Sequence, residues 1–260
     1  MDGLVDIHTH LLPGIDDGPE ELAGSLEMAR SAVASGISRI AATPHLRSDF
    51  PGVQVREIAE RVAALERELE AGGIELRVTS GAEVSLLWAL EASEEELRLA
   101  SFAGLGRDLL VETPDDVSMI EQLLYQVRVH GYRITLAHPE RSGTFRRDPS
   151  TLSRLSEQGV LLQVNADALL AAPRNPLRKL AERLCVDGTA HVIASDGHRG
   201  RDWRPVDRLP RAVEALGELV GPERARWMAA EVPAAVLDGD PLPGAPEIRR
   251  RRGLLARWRS

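Results

Sequence analysis

Short apolar runs alternate with amphipathic stretches along most of the chain. The apolar runs are rich in β-branched residues and predict strands at 4–8, 37–42, 75–80, 108–112, 133–137, 160–164 and 190–195. Between these runs the patterning and flanking residues predict helices at about 19–35, 54–71, 86–99, 115–130, 150–158, 176–187 and 206–219. Two further short helices are predicted near 222–229 and 231–237.

The order of these elements predicts the fold class. In the helix at 54–71, Ile58, Val62, Leu65 and Leu69 form an apolar side that faces a core. Strands that alternate with helices pair in a parallel sheet, so the chain is expected to be an α/β protein. About seven strand–helix units follow one another without a break in composition, which favours a closed or nearly closed barrel. A doubly wound open sheet is the alternative.

Composition narrows the class of protein. The chain has 260 residues, of which 43% are hydrophobic and only 3% aromatic, so the core must be aliphatic. Few aromatic residues and a net charge of −8 argue against nucleic acid as a ligand. There is no run of 18 apolar residues, and the N-terminus lacks the basic start and apolar region of a signal peptide. A cytoplasmic location is therefore expected.

Positive charge is concentrated at the C-terminus. Residues 247–260 contain six arginines and one glutamate, a net charge of +5 in a chain of net charge −8. We therefore divide the chain into a domain at 1–246 and a basic tail at 247–260. The tail is either a solvated end or a segment that contacts an acidic partner or an anionic membrane surface.

Residues of the kinds that bind metal ions follow many of the predicted strands. They are His8, His10, His45, Glu83, Glu112, His138, Asp196 and His198. On a strand, the i, i+2 spacing of His8 and His10 points both side chains to one face. One of Asp16 and Asp17 is a further candidate ligand, and the other would orient a ligand or cap the next helix. Because the strand ends of a barrel meet at one mouth, these residues predict a metal centre there.

Three arginines and one cysteine bear on the chemistry. Arg141, Arg201 and Arg204 follow the last two histidine motifs, and a guanidinium beside metal ions suits phosphate binding. Cys185 lies in a predicted helix with no Cys-x5-Arg phosphate loop, so we expect it to be inert. The remaining histidines, His130 and His191, are assigned to structure. Signatures of nucleotide-dependent phosphoryl transfer, hydride transfer and serine hydrolysis are absent from the sequence.

Taken together, the motifs resemble a known family. DIHTHLLPGIDDGPE, TPH, GAEV, LVETP, LAHPER and ASDGH are similar to those of the PHP superfamily, named for its polymerase and histidinol phosphatase members. Within it they most resemble the manganese-dependent protein-tyrosine phosphatases of capsule and exopolysaccharide gene clusters. The resemblance covers residues 4 to about 237. It implies a distorted (β/α)7-type, TIM-like barrel that holds three Mn²⁺ ions, with Fe or Zn as alternatives.

The resemblance also implies roles for single residues. Three metal sites are implied: His8, His10, Glu83 and Asp196; Glu83, Glu112 and His138; and Asp17, His45 and His198. Glu83 would bridge the first two sites. Arg141 and Arg204 would face the phosphate, with Arg201 as the alternative to Arg204.

The function implied is hydrolysis of phosphotyrosine in proteins by a metal-bridged hydroxide. A bacterial tyrosine kinase of polysaccharide export is the implied protein substrate. Two other functions remain open. One is a histidinol-phosphatase-like or other small-molecule phosphoesterase, and the other is a metal-binding regulatory module with little activity. The sequence gives no prediction of the oligomeric state.

Overall fold

The computed structural model describes residues 3–115, 119–199 and 203–249, and it shows strands and helices alternating as predicted. The strands are β1 (Leu4–Thr9), β2 (Ile37–Ala42), β3 (His45–Leu46), β4 (Arg77–Ser80), β5 (Glu83–Ser85), β6 (Asp108–Glu112), β7 (Arg133–Ala137), β8 (Leu161–Asn165) and β9 (Val192–Ala194). The α-helices are α1 (Leu22–Ala34), α2 (Ile58–Ala71), α3 (Leu86–Glu91), α4 (Glu94–Ala100), α5 (Ile120–Arg128), α6 (Gly143–Arg147), α7 (Ser150–Glu157), α8 (Ala166–Leu170), α9 (Pro176–Val186), α10 (Arg208–Val220), α11 (Pro222–Arg226) and α12 (Val232–Asp238). A π-helical turn, Trp227–Glu231, joins the last two helices.

The strands form two parallel sheets that together make a distorted barrel. Their orders are β1-β2-β4 and β3-β5-β6-β7-β8-β9. The barrel closes where Thr9, at the end of β1, forms a parallel bridge with Gly197, just beyond β9. The His10 amide donates to the Gly197 carbonyl across this seam at 2.7 Å. This closure confirms the barrel and excludes the doubly wound open sheet.

We call each strand position around the barrel a stave. Two staves are interrupted, which is why the strands divide into two sheets. Thr43 and Pro44 separate β2 from β3, and Gly81 and Ala82 separate β4 from β5. The hydrogen bonding nevertheless continues, because the Glu83 amide donates to the Pro44 carbonyl at 3.1 Å. A Cβ atom on Gly81 would lie 2.8 Å from the Phe102 ring, so only glycine fits this close approach. With β2–β3 and β4–β5 each taken as one stave, the described residues form a (β/α)7 barrel.

The core is aliphatic, as predicted, and the helices cover it with their apolar sides. In α2 the buried residues are the predicted four, Ile58, Val62, Leu65 and Leu69. The strands are buried on both faces, as in other barrels surrounded by helices. This arrangement presents the carboxyl ends of all staves at one mouth, where the strand-end motifs lie.

Several predicted boundaries are wrong. The helix expected at 86–99 is two helices, because Ser93 caps α4 through a capping box with Glu96. The helix expected at 115–130 is shorter, Ile120–Arg128, and residues 116–118 lie outside the described ranges. The first helix begins at Leu22 rather than at 19. The short helices α6 and α8 were not predicted, since five residues are too few to show a helical period.

A C-terminal segment, residues 239–249, crosses the opposite end of the barrel. Arg107, just before β6, donates to the Gly239 carbonyl at 2.9 Å, and Arg133, at the start of β7, donates to the Asp240 carbonyl at 3.0 Å. The Arg249 amide donates to the Val220 carbonyl at 3.0 Å. Most of the predicted basic tail, residues 250–260, lies outside the described ranges. No helix in the described part of the chain is long and apolar enough to cross a membrane.

Candidate metal centre

The predicted metal ligands meet at the mouth of the barrel. Among the described residues, four overlapping groups bring ligand atoms within 4.8 Å of one another: His10, Asp17, His45 and His198; His8, His10 and Asp196; His8, Glu83 and His138; and His45, Glu83 and Glu112. Most of these side chains are buried, and Asp17 and Glu112 are about one quarter exposed, at 25% and 22%. Every residue assigned to a metal from the sequence is therefore in one cluster.

Glu83 lies in the middle of the cluster and faces it with both oxygens. Its Oε1 is 2.8 Å from Nε2 of His138, while Oε2 is 2.9 Å from Nδ1 of His45 and 3.2 Å from Nε2 of His8. Burial alone would raise the pKa of Glu83, but the surrounding histidines hold that pKa well below its usual range. An ionised carboxylate with its oxygens directed to different ligands is suited to bridge two cations.

Asp196 uses its two oxygens differently. Its Oδ2 accepts hydrogen bonds from Asn165 at 2.7 Å, from Arg141 at 3.0 Å and from Arg204 at 2.6 Å. Its Oδ1 lies 3.5 Å from Nε2 of His8 and 3.6 Å from Nε2 of His10. The three donors fix the carboxylate so that one oxygen is directed at the histidines, which is the geometry of a one-oxygen metal ligand.

The two neighbouring aspartates have distinct positions. Asp17 Oδ1 lies 3.4 Å from Nε2 of His45 and 3.3 Å from Nε2 of His198. Asp16 instead accepts from His10 Nδ1 at 2.8 Å and from the His45 amide at 3.1 Å. Asp17 therefore faces the cluster, whereas Asp16 lies behind it and directs Nε2 of His10 toward it.

Unsatisfied polar atoms show that this cluster fits metal cations. Within the described residues, the following buried atoms of the cluster lack a hydrogen-bond partner: Nε2 of His8, His10 and His198, Nδ1 of His45, and a carboxylate oxygen of Asp17, Glu83 and Asp196. Buried polar atoms are normally paired, so such a concentration needs an explanation. Divalent cations would supply the missing partner to all of them, and a mixed nitrogen and oxygen set suits Mn, Fe or Zn.

Negative charge in the cluster also affects its histidines. Burial alone would lower the pKa of His45, but the carboxylates of Asp17 and Glu83 beside its ring raise that pKa to about 9. The carboxylates that favour the charged imidazole would equally favour a bound cation, because both interactions are with positive charge.

The backbone at the mouth is strained at three residues of the site. His138, Asp196 and Arg204 have φ angles of 32°, 52° and 45°, in the left-handed region that non-glycine residues rarely adopt. Gly197 beside them has no room for a side chain, since a Cβ atom would lie 2.5 Å from Val206. Strain of this kind is found where the surrounding structure must aim a functional side chain.

Several supporting residues were missed by the sequence interpretation. Gln163 Oε1 lies 2.9 Å from His8 Nδ1, and Arg47 donates to Glu112 Oε2 at 2.9 Å. The ring of Phe50 stacks on that of His45 at 5.0 Å and an angle of 8°. Gln163 and Asn165 repeat the i, i+2 spacing of the histidine motifs, a signal that was available. Arg47 likewise follows His45 at i, i+2, but no local pattern indicates its contact with Glu112.

The residues assigned elsewhere lie outside the cluster. Cys185, on α9, is 1% exposed, and burial raises the pKa of its thiol well above the usual range. His191 accepts a hydrogen bond from the Leu162 amide at 3.3 Å, and His130 lies near Glu94 on the surface. Arg201 lies outside the described residues, so the choice between it and Arg204 remains a prediction, although Arg204 does reach Asp196.

Known proteins are similar to this chain in sequence and in fold. Tyrosine-protein phosphatase YwqE of Bacillus subtilis (strain 168) is 34% identical over 197 residues, which span 75% of this chain and 77% of YwqE. Tyrosine-protein phosphatase CpsB of Streptococcus agalactiae serotype III is 25% identical over 243 residues, which span 90% of this chain and 98% of CpsB.

Solved structures agree with this similarity. One from a study of YwqE of Bacillus subtilis and CpsB of Streptococcus pneumoniae, described there as metal-dependent tyrosine phosphatases, matches with a TM-score of 0.80 and 30% identity. The match covers 95% of this chain and 100% of that one. A β-aspartyl dipeptidase of Fervidobacterium islandicum AW-1, at 12% identity and a TM-score of 0.58, shares the fold alone. The model of the family "Capsular polysaccharide synthesis, CpsB/CapC" matches residues 4–238, and the chain therefore belongs to the CpsB/CapC family.

Proposed function

We propose that this protein is a metal-dependent protein-tyrosine phosphatase of polysaccharide synthesis. The observation that carries the proposal is the cluster of unsatisfied histidine and carboxylate atoms with two arginines beside it. Phosphoryl groups carry negative charge on several oxygens, and such a site offers cationic groups on more than one side. The relatives of this chain named as tyrosine-protein phosphatases support phosphotyrosine as the substrate.

We assign the ligands to three metal sites. His8, His10, Glu83 and Asp196 would hold one ion, Glu83, Glu112 and His138 a second, and Asp17, His45 and His198 a third. When bound, such ions activate a water molecule as the nucleophile and neutralise charge on the phosphoryl oxygens. The donor set makes Mn²⁺ our first choice, with Fe or Zn as alternatives.

Arg141 and Arg204 would hold the phosphoryl group and stabilise its charge in the transition state. Both donate to the same oxygen of Asp196, so their guanidinium groups converge at one place. Arg204 is 16% exposed, while Arg141 is 37% exposed and lies closer to the rim. A guanidinium has five N–H donors, so each arginine can keep its bond to Asp196 and still bind a phosphoryl oxygen.

The leaving group fits a site without a nucleophilic cysteine. The phenol of tyrosine has a pKa of about 10, so its departure needs less acid assistance than that of an alkyl alcohol. Cys185 is buried on α9 and is no member of the cluster. This separation favours direct attack by water over a cysteinyl-phosphate route.

A phosphatase panel tests the proposal. The protein is stripped of metal by chelation, reloaded with Mn²⁺, Fe²⁺ or Zn²⁺, and assayed on phosphotyrosine peptides, phosphoserine peptides and histidinol phosphate. We expect the stripped protein to be inactive and the Mn²⁺ form to prefer phosphotyrosine. The double variant His8→Ala with His10→Ala should stay folded but lose turnover.

Three results would contradict the proposal. Activity that survives exhaustive chelation would exclude the metal-dependent reaction. A clear preference for histidinol phosphate would favour the small-molecule phosphoesterase instead. Equal metal content and turnover in the double histidine variant would show that the cluster is not the catalytic centre.

We further propose a cytoplasmic enzyme whose substrate is a bacterial tyrosine kinase, with the basic tail contacting an anionic membrane. Basic residues near such a surface contribute about 1 kcal/mol each, and salt screens the attraction. Co-sedimentation with anionic vesicles at low salt, comparing the full chain with one ending at Pro246, tests the tail. Equal binding by the two proteins would exclude it as a membrane contact.

A further inference from the structure

A groove leads away from the metal centre along the rim of the barrel. Its inner part is a cavity of 460 Å³, lined by Glu112, His138 and Arg141 of the proposed site. Its outer part is a second cavity of 490 Å³. The two cavities share a boundary formed by Arg47, Ser48, Ser85 and Leu87. The groove is therefore continuous with the place where the phosphoryl group would bind.

The groove is larger than a single phosphotyrosyl side chain requires. Pockets of about 300–1,000 Å³ hold whole small ligands, so the inner cavity alone can take one aryl phosphate. The outer cavity is then available to something attached to that group. In a protein substrate, the attached groups are the residues on either side of the phosphotyrosine.

The boundary and the outer wall offer apolar surface. Leu87, on α3, is 49% exposed and lines both cavities where they meet. Trp88 and Phe50 are only partly buried and line the outer cavity. These side chains could cover an apolar residue of a bound peptide and remove its surface from water.

Some charged side chains of the groove are already paired within the described part of the protein, and one is not. Arg47 donates to Glu112 and to Asp49, each at 2.9 Å, and so is already paired. Glu96 accepts bonds from Ser93. Glu91 lines the outer cavity, is exposed, and has no ion pair or hydrogen bond of its side chain within the described residues. The outer cavity therefore carries a carboxylate free to meet a positive charge.

We propose that this groove binds the peptide segment flanking the phosphotyrosine, with an apolar residue against Leu87 and a lysine or arginine facing Glu91. This inference rests on the proposed phosphatase function and adds a preference among its protein substrates. The peptide's basic residue would form an exposed ion pair with Glu91, which is modest in energy and weakened by salt.

A charge exchange tests the groove in the full chain loaded with Mn²⁺. Two phosphotyrosine peptides differ only in whether lysines or glutamates flank an apolar residue beside the phosphotyrosine. The specificity constant kcat/KM is measured for each peptide and divided by that for p-nitrophenyl phosphate, which corrects for folding and metal loading. The variants are Glu91→Lys and, as a matched control, Glu68→Lys, an exposed position on α2 that lines neither cavity.

We expect the unaltered protein to prefer the lysine peptide by about two- to fivefold at low salt, the range of exposed ion pairs. Glu91→Lys should abolish or reverse this preference, and Glu68→Lys should preserve it. Leu87→Asp should weaken use of both peptides relative to Leu105→Asp, which alters a leucine 48% exposed at the other end of the barrel.

The outcomes separate the two proposals. Turnover of both peptides with no preference in the unaltered protein would overturn the groove but leave the phosphatase function standing. The same holds if Glu68→Lys changes the preference as much as Glu91→Lys, because net charge would then be the cause. Absence of turnover on every phosphotyrosine substrate would overturn the proposed function and the groove with it.

Discussion

Replacing Asp16 by asparagine tests how the protein aims His10 at the metal centre. Asp16 Oδ2 accepts from His10 Nδ1 at 2.8 Å and from the His45 amide at 3.1 Å, while Oδ1 accepts from the Gly18 amide at 3.0 Å. Asparagine has nearly the same size but only one accepting oxygen. If that oxygen serves His10 and His45, the new NH₂ group faces the Gly18 N–H, donor against donor.

The expected loss follows from these contacts. One hydrogen bond disappears, and the bond to His10 loses the charge of its acceptor. Removal of an orienting partner behind a metal-bound histidine lowers metal affinity about 10- to 100-fold. This corresponds to about 1.4–2.7 kcal/mol. The turn that holds Asp16 is also tightly packed at Gly18, where a Cβ atom would lie 2.2 Å from the His10 carbonyl oxygen.

The assay measures bound metal directly. Protein is dialysed against a series of free Mn²⁺ concentrations, the bound metal is determined by mass spectrometry, and turnover of an aryl phosphate is followed over the same series. Asp238→Asn is the control, because the Asp238 carboxylate also accepts a hydrogen bond from a side-chain nitrogen, that of Arg39 at 2.7 Å, but at the far end of the barrel. Metal affinity of Asp16→Asn within twofold of the control would refute the orienting role.

Three further predictions concern other parts of the molecule. Cys185→Ser should change turnover by less than about tenfold, or 1.4 kcal/mol in the barrier, and a larger loss in a folded protein would revive a cysteine mechanism. Arg141→Ala should lower kcat for aryl phosphates about a hundredfold with metal content unchanged, since Asn165 and Arg204 still fix Asp196; an unchanged kcat would contradict its contact with phosphate. Burial, and to a lesser extent the charge of Arg224, lowers the pKa of His191 to about 4 in the folded protein. In the unfolded chain this pKa is about 6.5. Between about pH 6.5 and pH 4 the unfolded chain therefore binds more protons, and the stability of the folded protein falls as the pH falls. Thermal unfolding of His191→Asn between pH 7 and 4.5 should show a smaller acid loss than the parent, and parallel curves would contradict this.

Most residues of the cluster could be predicted because they follow predicted strands directly in the sequence, whereas the local sequence left Asp16 and Asp17 as alternatives. The carboxyl ends of the predicted strands meet at one mouth of the barrel, so residues that follow the strands are expected there. The i, i+2 spacing of His8 and His10 directs both side chains to the same face of their strand. Contacts between distant segments could not be predicted in this way. Arg47 reaches Glu112 across 65 positions of the chain, and no pattern near either residue indicates the partner. The interrupted staves at Pro44 and Gly81 also depend on packing, in the second case against Phe102.

The path of the C-terminal segment limits how the enzyme could meet a substrate at a surface. The Arg249 side chain forms an ion pair with Glu223 at 3.3 Å, and its amide donates to the Val220 carbonyl, at the end of the barrel opposite the mouth. A surface in contact with Arg249 itself would lie at this end of the barrel, and the mouth would open away from it. The six residues of β1 alone span about 20 Å at 3.3 Å each. A substrate protein attached to the same surface would therefore need at least about six extended residues between the surface and its phosphotyrosine. Phosphotyrosines on long C-terminal segments or long loops would reach the mouth, whereas phosphotyrosines close to the surface would not.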